Sequence, residues 1–272
     1  MENFPLVTIP ATHQHLVKAA AIDQDYLVSV ALPYGYEENP NQRYPIIYVM
    51  DGHWYFGMVV DMVRIMNMPL SFCSELPDAI IIGVGYPDGT TLIEKRNEIG
   101  QRRMRDFSPM KDQSLEEWHW SVFPASKNQP SGGANAFLEF LKGELIPLIE
   151  SSYRVDPSNR CLLGHSLSGL FALHTVYSYP ELFQKYVVAS PALFDDRSWL
   201  QTQDARLPVR MHLSAGELEL DDRERAYFSQ LAQSLQGKLV GDKPLVQQIF
   251  AGNTHCAVVA PAFQAGLVAV LP

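Results

Sequence analysis

Three cysteines in 272 residues are too few to build this chain around disulfides. Cys73, Cys161 and Cys256 form an odd set with no C-x-x-C spacing, which excludes a disulfide framework and a zinc ribbon. Free, mostly buried thiols in a reducing compartment are expected. Positive charge is also scarce. Lys and Arg total 21 against 30 Asp and Glu, a formal charge of −9, which argues against a nucleic-acid or anionic-membrane surface. No run approaches the roughly 18 apolar residues of a membrane span. The start, MENFPLVTIPATHQH, has neither the basic region nor the continuous apolar stretch of a signal peptide. The chain therefore reads as soluble and cytoplasmic. Repeats, low-complexity tracts and linkers are missing too, so one domain over 1–272 is expected.

What is present is an alternation of strand-like and helix-like segments, the pattern of a layered α/β protein. YLVSVALP alternates and ends at Pro33. YPIIYVMDG, DAIIIGVGY, RCLLGHS, YVVAS, VRMHLSAG and VQQIFAG are short apolar or β-branched runs, as buried parallel strands should be. Between them, GGANAFLEFLKGELIPLIESSYR has helical apolar spacing, with Pro147 expected to kink or divide it. SLSGLFALHTVYSYP, DDRERAYFSQLAQSLQ and APAFQAGLVAVL are further helices. From Arg96 to Gln129 the periodicity fails, and an irregular, substrate-selecting excursion over the sheet is expected.

LLGHSLSGL, Leu162 to Leu170, nearly spells the G-x-S-x-G turn between a strand and a helix that exposes a nucleophilic serine. The glycine two residues after Ser166 is replaced by Ser168. The turn needs small residues on either side because longer ones collide across it, and serine meets that need. Ser168 is a poorer nucleophile candidate, since its own frame would place Leu170 at a small position. Without catalysis, Ser166 would be an ordinary helix N-cap.

A serine hydroxyl needs an adjacent base, and in this fold the order is Ser, then acid, then His. Of the eight histidines, His255 in IFAGNTHCAVV follows a late strand on a loop that can reach back. The acid should follow the preceding strand, in SAGELELDD. An acid three residues after the strand-ending glycine selects Glu219, with Glu217 the alternative and Asp221 and Asp222 also nearby. Oxyanion donors are expected at the N–H of Leu167 and at the Gly52–His53 turn after YVM. His255 and Cys256 have no second ligand pair, so no metal is expected.

These residues resemble the esterase D-like branch of the α/β hydrolases, and above all its siderophore-esterase members, the enterobactin and bacillibactin trilactone hydrolases. The likeness covers most of the chain. It runs through DYLVSVALPYGY, YPIIYVMDG, the long block from GGANAFLEFLKGELIPLIESSYR to GHSLSGLFAL, PELFQKYVVASPALFDD and SAGELE. It implies an α/β-hydrolase fold, with a mostly parallel sheet flanked by helices on both faces. In RMRDFSP it implies that Arg103 faces the active site and holds an anionic or phenolic oxygen of the substrate, with Trp54 a second substrate contact. The chain departs from relatives at Phe194, where they often carry tryptophan, and in the aromatic set Trp118, His119, Trp120 and Phe123.

The expected activity is a serine carboxylesterase working through an acyl-enzyme, without cofactor, on a small-molecule ester such as a siderophore trilactone or an aryl or acyl ester. A thioesterase of S-formylglutathione-hydrolase type and an acyltransferase share that chemistry and stand as alternatives. A non-catalytic binding protein would lack a nucleophile or base, and both are present.

Overall fold

The computed structural model describes residues 7–68, 70, 76–87, 92–122, 130–193, 206–240 and 245–272, and of residues 92–98 the backbone alone. Eight strands form one sheet in the order β1-β2-β4-β3-β5-β6-β7-β8. β1 (Thr12–Ala19) and β2 (Gln24–Ala31) are antiparallel, and β2 is antiparallel to β4 (Ile80–Gly85). β3 (Tyr44–Met50), β5 (Val155–His165), β6 (Lys185–Ala189), β7 (Arg210–Gly216) and β8 (Leu245–Phe250) complete a parallel set with β4. This is an α/β-hydrolase fold.

The helices are α1 (Gly52–Met66), α2 (Leu92–Phe107), α3 (Gln113–Val122), α4 (Ala134–Phe140) and α5 (Ile146–Ser152). After β5 come α6 (Leu167–Ser178), α7 (Asp222–Lys238) and α8 (Val259–Val270). Alternation along β3 builds the two layers. Tyr44, Ile46, Tyr48 and Met50 enter the core on one face, Ile47 and Val49 the core on the other. Residues of α1 and α8 fill the second core, while α4, α6 and α7 contribute to the first. With both faces covered, an inner strand has no polar side, which is why these strands read as apolar runs. α6 is enclosed so fully that every residue from Leu167 to Tyr177 is buried.

The structure departs from the sequence reading in several places. β1 is a strand despite its polar sequence THQHLVKA, because an edge strand with an exposed face needs few apolar residues. The segment after YVM is not only a turn but the start of α1. Much of the excursion is helical rather than irregular: α2 packs on α6 and α4 through a narrow stripe including Met104 and Phe107, which its many charges obscure. α3 is capped by Asp112, whose Oδ1 accepts the N–H of Leu115 at 2.9 Å. Phe123, Phe194 and Cys73 lie outside the described residues. Cys161 is buried, as expected, but Cys256 is exposed. Before Pro147, whose missing N–H cannot serve the helical ladder, the chain adopts a π turn over Leu141–Leu145.

Candidate active site

Ser166 joins β5 to α6 at φ 60° and ψ −123°, an uncommon conformation for a side-chain-bearing residue. The turn is tight: a Cβ on Gly164 would lie 2.3 Å from the carbonyl oxygen of Ser168. Asp51 and Ser190, which directly follow β3 and β6, also have positive φ, at 55° and 42°. Three strained residues thus gather where adjacent parallel strands end, and such strain clusters at functional sites.

Ser168 does more than stay small. Its Oγ lies 2.7 Å from Asp51 Oδ2 and 2.8 Å from the carbonyl oxygen of His165, and accepts the His165 N–H at 3.0 Å. Asp51 is fully buried and is held by Arg103, with Nε to Oδ1 at 2.6 Å and Nη2 to Oδ2 at 3.0 Å. The guanidinium also lies 4.9 Å from the centre of the Trp54 ring and 5.9 Å from that of Phe107. The structure therefore engages Arg103 with the turn before α1, and Trp54 with Arg103.

In β3 and β5, Val49 pairs with Leu163, so α1 and α6 begin side by side. Leu167 is the first residue of α6 and His53 the second of α1, so both lie in the first turns of neighbouring helices. Gly52 is required by the strand beside it: a Cβ there would lie 2.5 Å from the carbonyl carbon of Gly83.

On the other side of Ser166, the structure brings Glu219 to His255. Glu219 Oε2 is hydrogen-bonded to His255 Nδ1, and its Oε1 accepts from the Ser190 hydroxyl and the Gly216 N–H. Burial pushes this carboxyl up, but the hydrogen bonds from His255, Ser190 and Gly216 outweigh it and hold Glu219 below the usual glutamate range. A carboxylate only accepts, so Nδ1 carries the hydrogen and the neutral imidazole leaves Nε2 bare. The two loops interlock: a Cβ on Gly216 would lie 2.5 Å from the carbonyl oxygen of Asn253, and Leu218 N–H donates to that oxygen at 2.9 Å. Glu217 points elsewhere, accepting the Gly252 N–H at 2.9 Å.

Ser166, His255 and Glu219 share a cavity of about 360 Å³. Trp118 of α3 and Tyr227 and Phe228 of α7 are among its walls; Arg103 and Trp54 are not among the described residues lining it. Glu116, two residues before Trp118, accepts both the N–H and the hydroxyl of Ser131, at 2.9 and 2.8 Å, and so anchors α3. Sequence reasoning missed Asp51 and Ser190 as partners, although each is a polar residue placed directly after an apolar strand.

The family described as "Putative esterase" matches residues 19–235. The chain belongs to that family. It is 29% identical over 242 residues to the ferri-bacillibactin esterase BesA of Bacillus subtilis, covering 83% of this chain and 78% of the relative. It is 32% identical over 154 residues to the apo-salmochelin esterase of Escherichia coli, with 57% of this chain and 43% of that one covered. The crystal structure of the BES protein from Bacillus cereus superposes with a TM-score of 0.77 at 25% identity, covering 99% of this chain and 98% of that one. This esterase is a serine ester hydrolase. Among its described residues, no helix is long and apolar enough to cross a membrane.

Proposed function

We propose that this esterase hydrolyses a siderophore trilactone or a related aryl or acyl ester through an acyl-enzyme on Ser166, with His255 as base and Glu219 orienting it. The observation that carries the reading is the Glu219–His255 hydrogen bond on the wall of the cavity that Ser166 enters. Ser166 Oγ attacks the ester carbonyl carbon while its proton passes to the bare Nε2 of His255. The Leu167 and His53 N–H groups receive the charge that develops on the carbonyl oxygen. The C–O bond then breaks, the leaving alkoxide takes the proton from Nε2, and water repeats the sequence to free the acid. The Ser190 hydroxyl and Gly216 N–H keep Glu219 ionised and in place as the imidazolium forms.

The aromatic wall of Trp118, Tyr227 and Phe228 supports a substrate that carries aromatic rings, and the relatives named as a ferri-bacillibactin esterase and an apo-salmochelin esterase support a siderophore. The free thiols of Cys161 and Cys256 fit a cytoplasmic setting. Ser166→Ala should abolish both ester hydrolysis and fluorophosphonate labelling while the protein still folds; retained labelling would remove Ser166 from the role. A panel of catecholate trilactones, aryl esters, thioesters and short acyl esters tests the substrate. Turnover of the short acyl esters alone would remove the siderophore reading.

A further inference from the structure

His165, the residue before the nucleophile, has no part in the steps above, yet it reaches the base from inside the protein. It is buried, with Nε2 2.8 Å from the backbone carbonyl oxygen of His255 and Nδ1 3.0 Å from the Tyr55 hydroxyl. The carbonyl can only accept, so Nε2 carries the hydrogen. In a neutral ring Nδ1 is then bare and accepts the Tyr55 O–H. The ring centres of His165 and His255 are 4.5 Å apart with their planes at 44°. Burial, reinforced by His255 alongside, pushes the His165 pKa down to about 4, so it stays neutral at neutral pH.

Tyr55 belongs to the first turn of α1, three residues after Gly52, and its ring stands edge-on to both His165 and Phe263. A hydrogen-bonded line therefore runs from the helix that begins at the oxyanion turn, through the nucleophile's own neighbour, to the backbone of the base. Glu219 fixes the rotation of the His255 ring but not the position of its main chain. The hydrogen bond from His165 supplies that second constraint, and it originates one residue from Ser166.

We propose that His165 is a positioning residue that sets the separation of Ser166 and His255 by holding the His255 carbonyl, with Tyr55 selecting the required tautomer. The proposal rests on the reading of His255 as base. Small displacements of a reacting group cost on the order of 100-fold in rate. His165→Leu should therefore lower kcat for 4-nitrophenyl butyrate by about 10- to 100-fold, with KM within about twofold. Fluorophosphonate labelling should slow in parallel. His165→Gln, whose amide nitrogen reaches the place of Nε2, should recover most of the rate; Tyr55→Phe should fall between.

His165→Asn, whose shorter amide stops near the place of Nδ1, serves as the non-bridging variant should leucine prevent folding. It should be as slow as leucine. Wild-type kcat in a non-bridging variant would overturn the proposal, as would equal rates for His165→Gln and His165→Asn. The His255→Ala enzyme separates the two ideas. If it keeps its activity, the assignment of the base fails. If it is inactive while the non-bridging variants match wild type, only the role given to His165 fails.

Discussion

The two halves of the proposed active site are held in different ways. Asp51 and Ser168 have no solvent exposure, and Arg103, which holds Asp51, is only 12% exposed. They sit at the ends of inner strands or in the helices packed over them. His255 instead rides on the loop after β8, an edge strand, with 42% of its side chain exposed, and Glu219 beside it is 14% exposed. The half around Ser166 is thus part of the protein's interior, where an ion pair without its partner is costly. The half around His255 is a pair of interlocked loops resting on that interior. Damage to the first should appear in folding, and damage to the second in rate.

Asp51→Ala and Glu219→Ala would break this contrast if they behaved alike. Removing Asp51 strands the Arg103 guanidinium, takes an acceptor from Ser168 and places alanine at φ 55°. The expected loss is about 3–5 kcal/mol in unfolding free energy, a large share of the total stability of a typical domain. Glu219→Ala should remain folded by circular dichroism and lose on the order of 10⁴-fold in kcat, the scale seen when an acid no longer orients a catalytic histidine. A stable Asp51→Ala enzyme would show that the buried pair is dispensable.

The same contrast explains what was readable from the sequence. The inner strands announced themselves because burial on both faces removes polar residues, as in YPIIYVM and DAIIIGVG. Ser166, His255 and Glu219 were candidates because each lies after a strand in a fixed chain order, and the structure places all three on one cavity. α2 was hidden because charged residues pack inward on it, Asp106 buried beside Arg105 and Arg103 on Asp51, and so interrupt its apolar spacing. The supporting hydrogen bonds were invisible for another reason. Asp51 meets Ser168 across 117 residues and His165 meets His255 across 90, and no local pattern records which polar residue a folded strand end will face. Ser168 was read as merely small because a hydroxyl's partner is a property of the fold.

Acidification should lower stability before Glu219 titrates. Burial holds His165 and His174, both next to the elbow or within α6, at a pKa of about 4 against an ordinary 6.5, with His255 adding to the effect on His165. Above pH 6.5 both are neutral folded and unfolded, so neither affects stability. Below it the unfolded chain binds protons that the folded chain refuses, and stability falls until about pH 4, by on the order of 3 kcal/mol for each histidine. Glu219 is shifted below its ordinary 4.5, so its contribution is intact above pH 4.5 and is lost as pH falls through its lowered value. Urea unfolding at pH 7.5, 5.5 and 4.5 should show most of the decline before Glu219 titrates. His165→Gln should flatten the slope by about 1.4 kcal/mol per pH unit between 6 and 4.5. An unchanged slope would mean that His165 accepts protons as freely folded as unfolded.

The smallest expected effect concerns the residue that breaks the G-x-S-x-G pattern. Ser168→Ala keeps the Cβ but removes the hydroxyl, so the buried His165 N–H loses its acceptor and Asp51 loses a donor while keeping Arg103. The cost should be about 1–2 kcal/mol. Ser168→Gly restores the pattern's glycine but adds about 0.5–1 kcal/mol of backbone entropy, because position 168 lies in the first turn of α6. The order of melting temperatures should therefore be wild type, then alanine, then glycine, with kcat changing by only a few-fold. Were the glycine variant as stable as wild type, smallness alone would be what the turn requires. If instead the predicted order holds, the serine is part of the frame that joins the Ser166 turn to the turn before α1, and this chain has replaced a conformational convenience with a hydrogen bond.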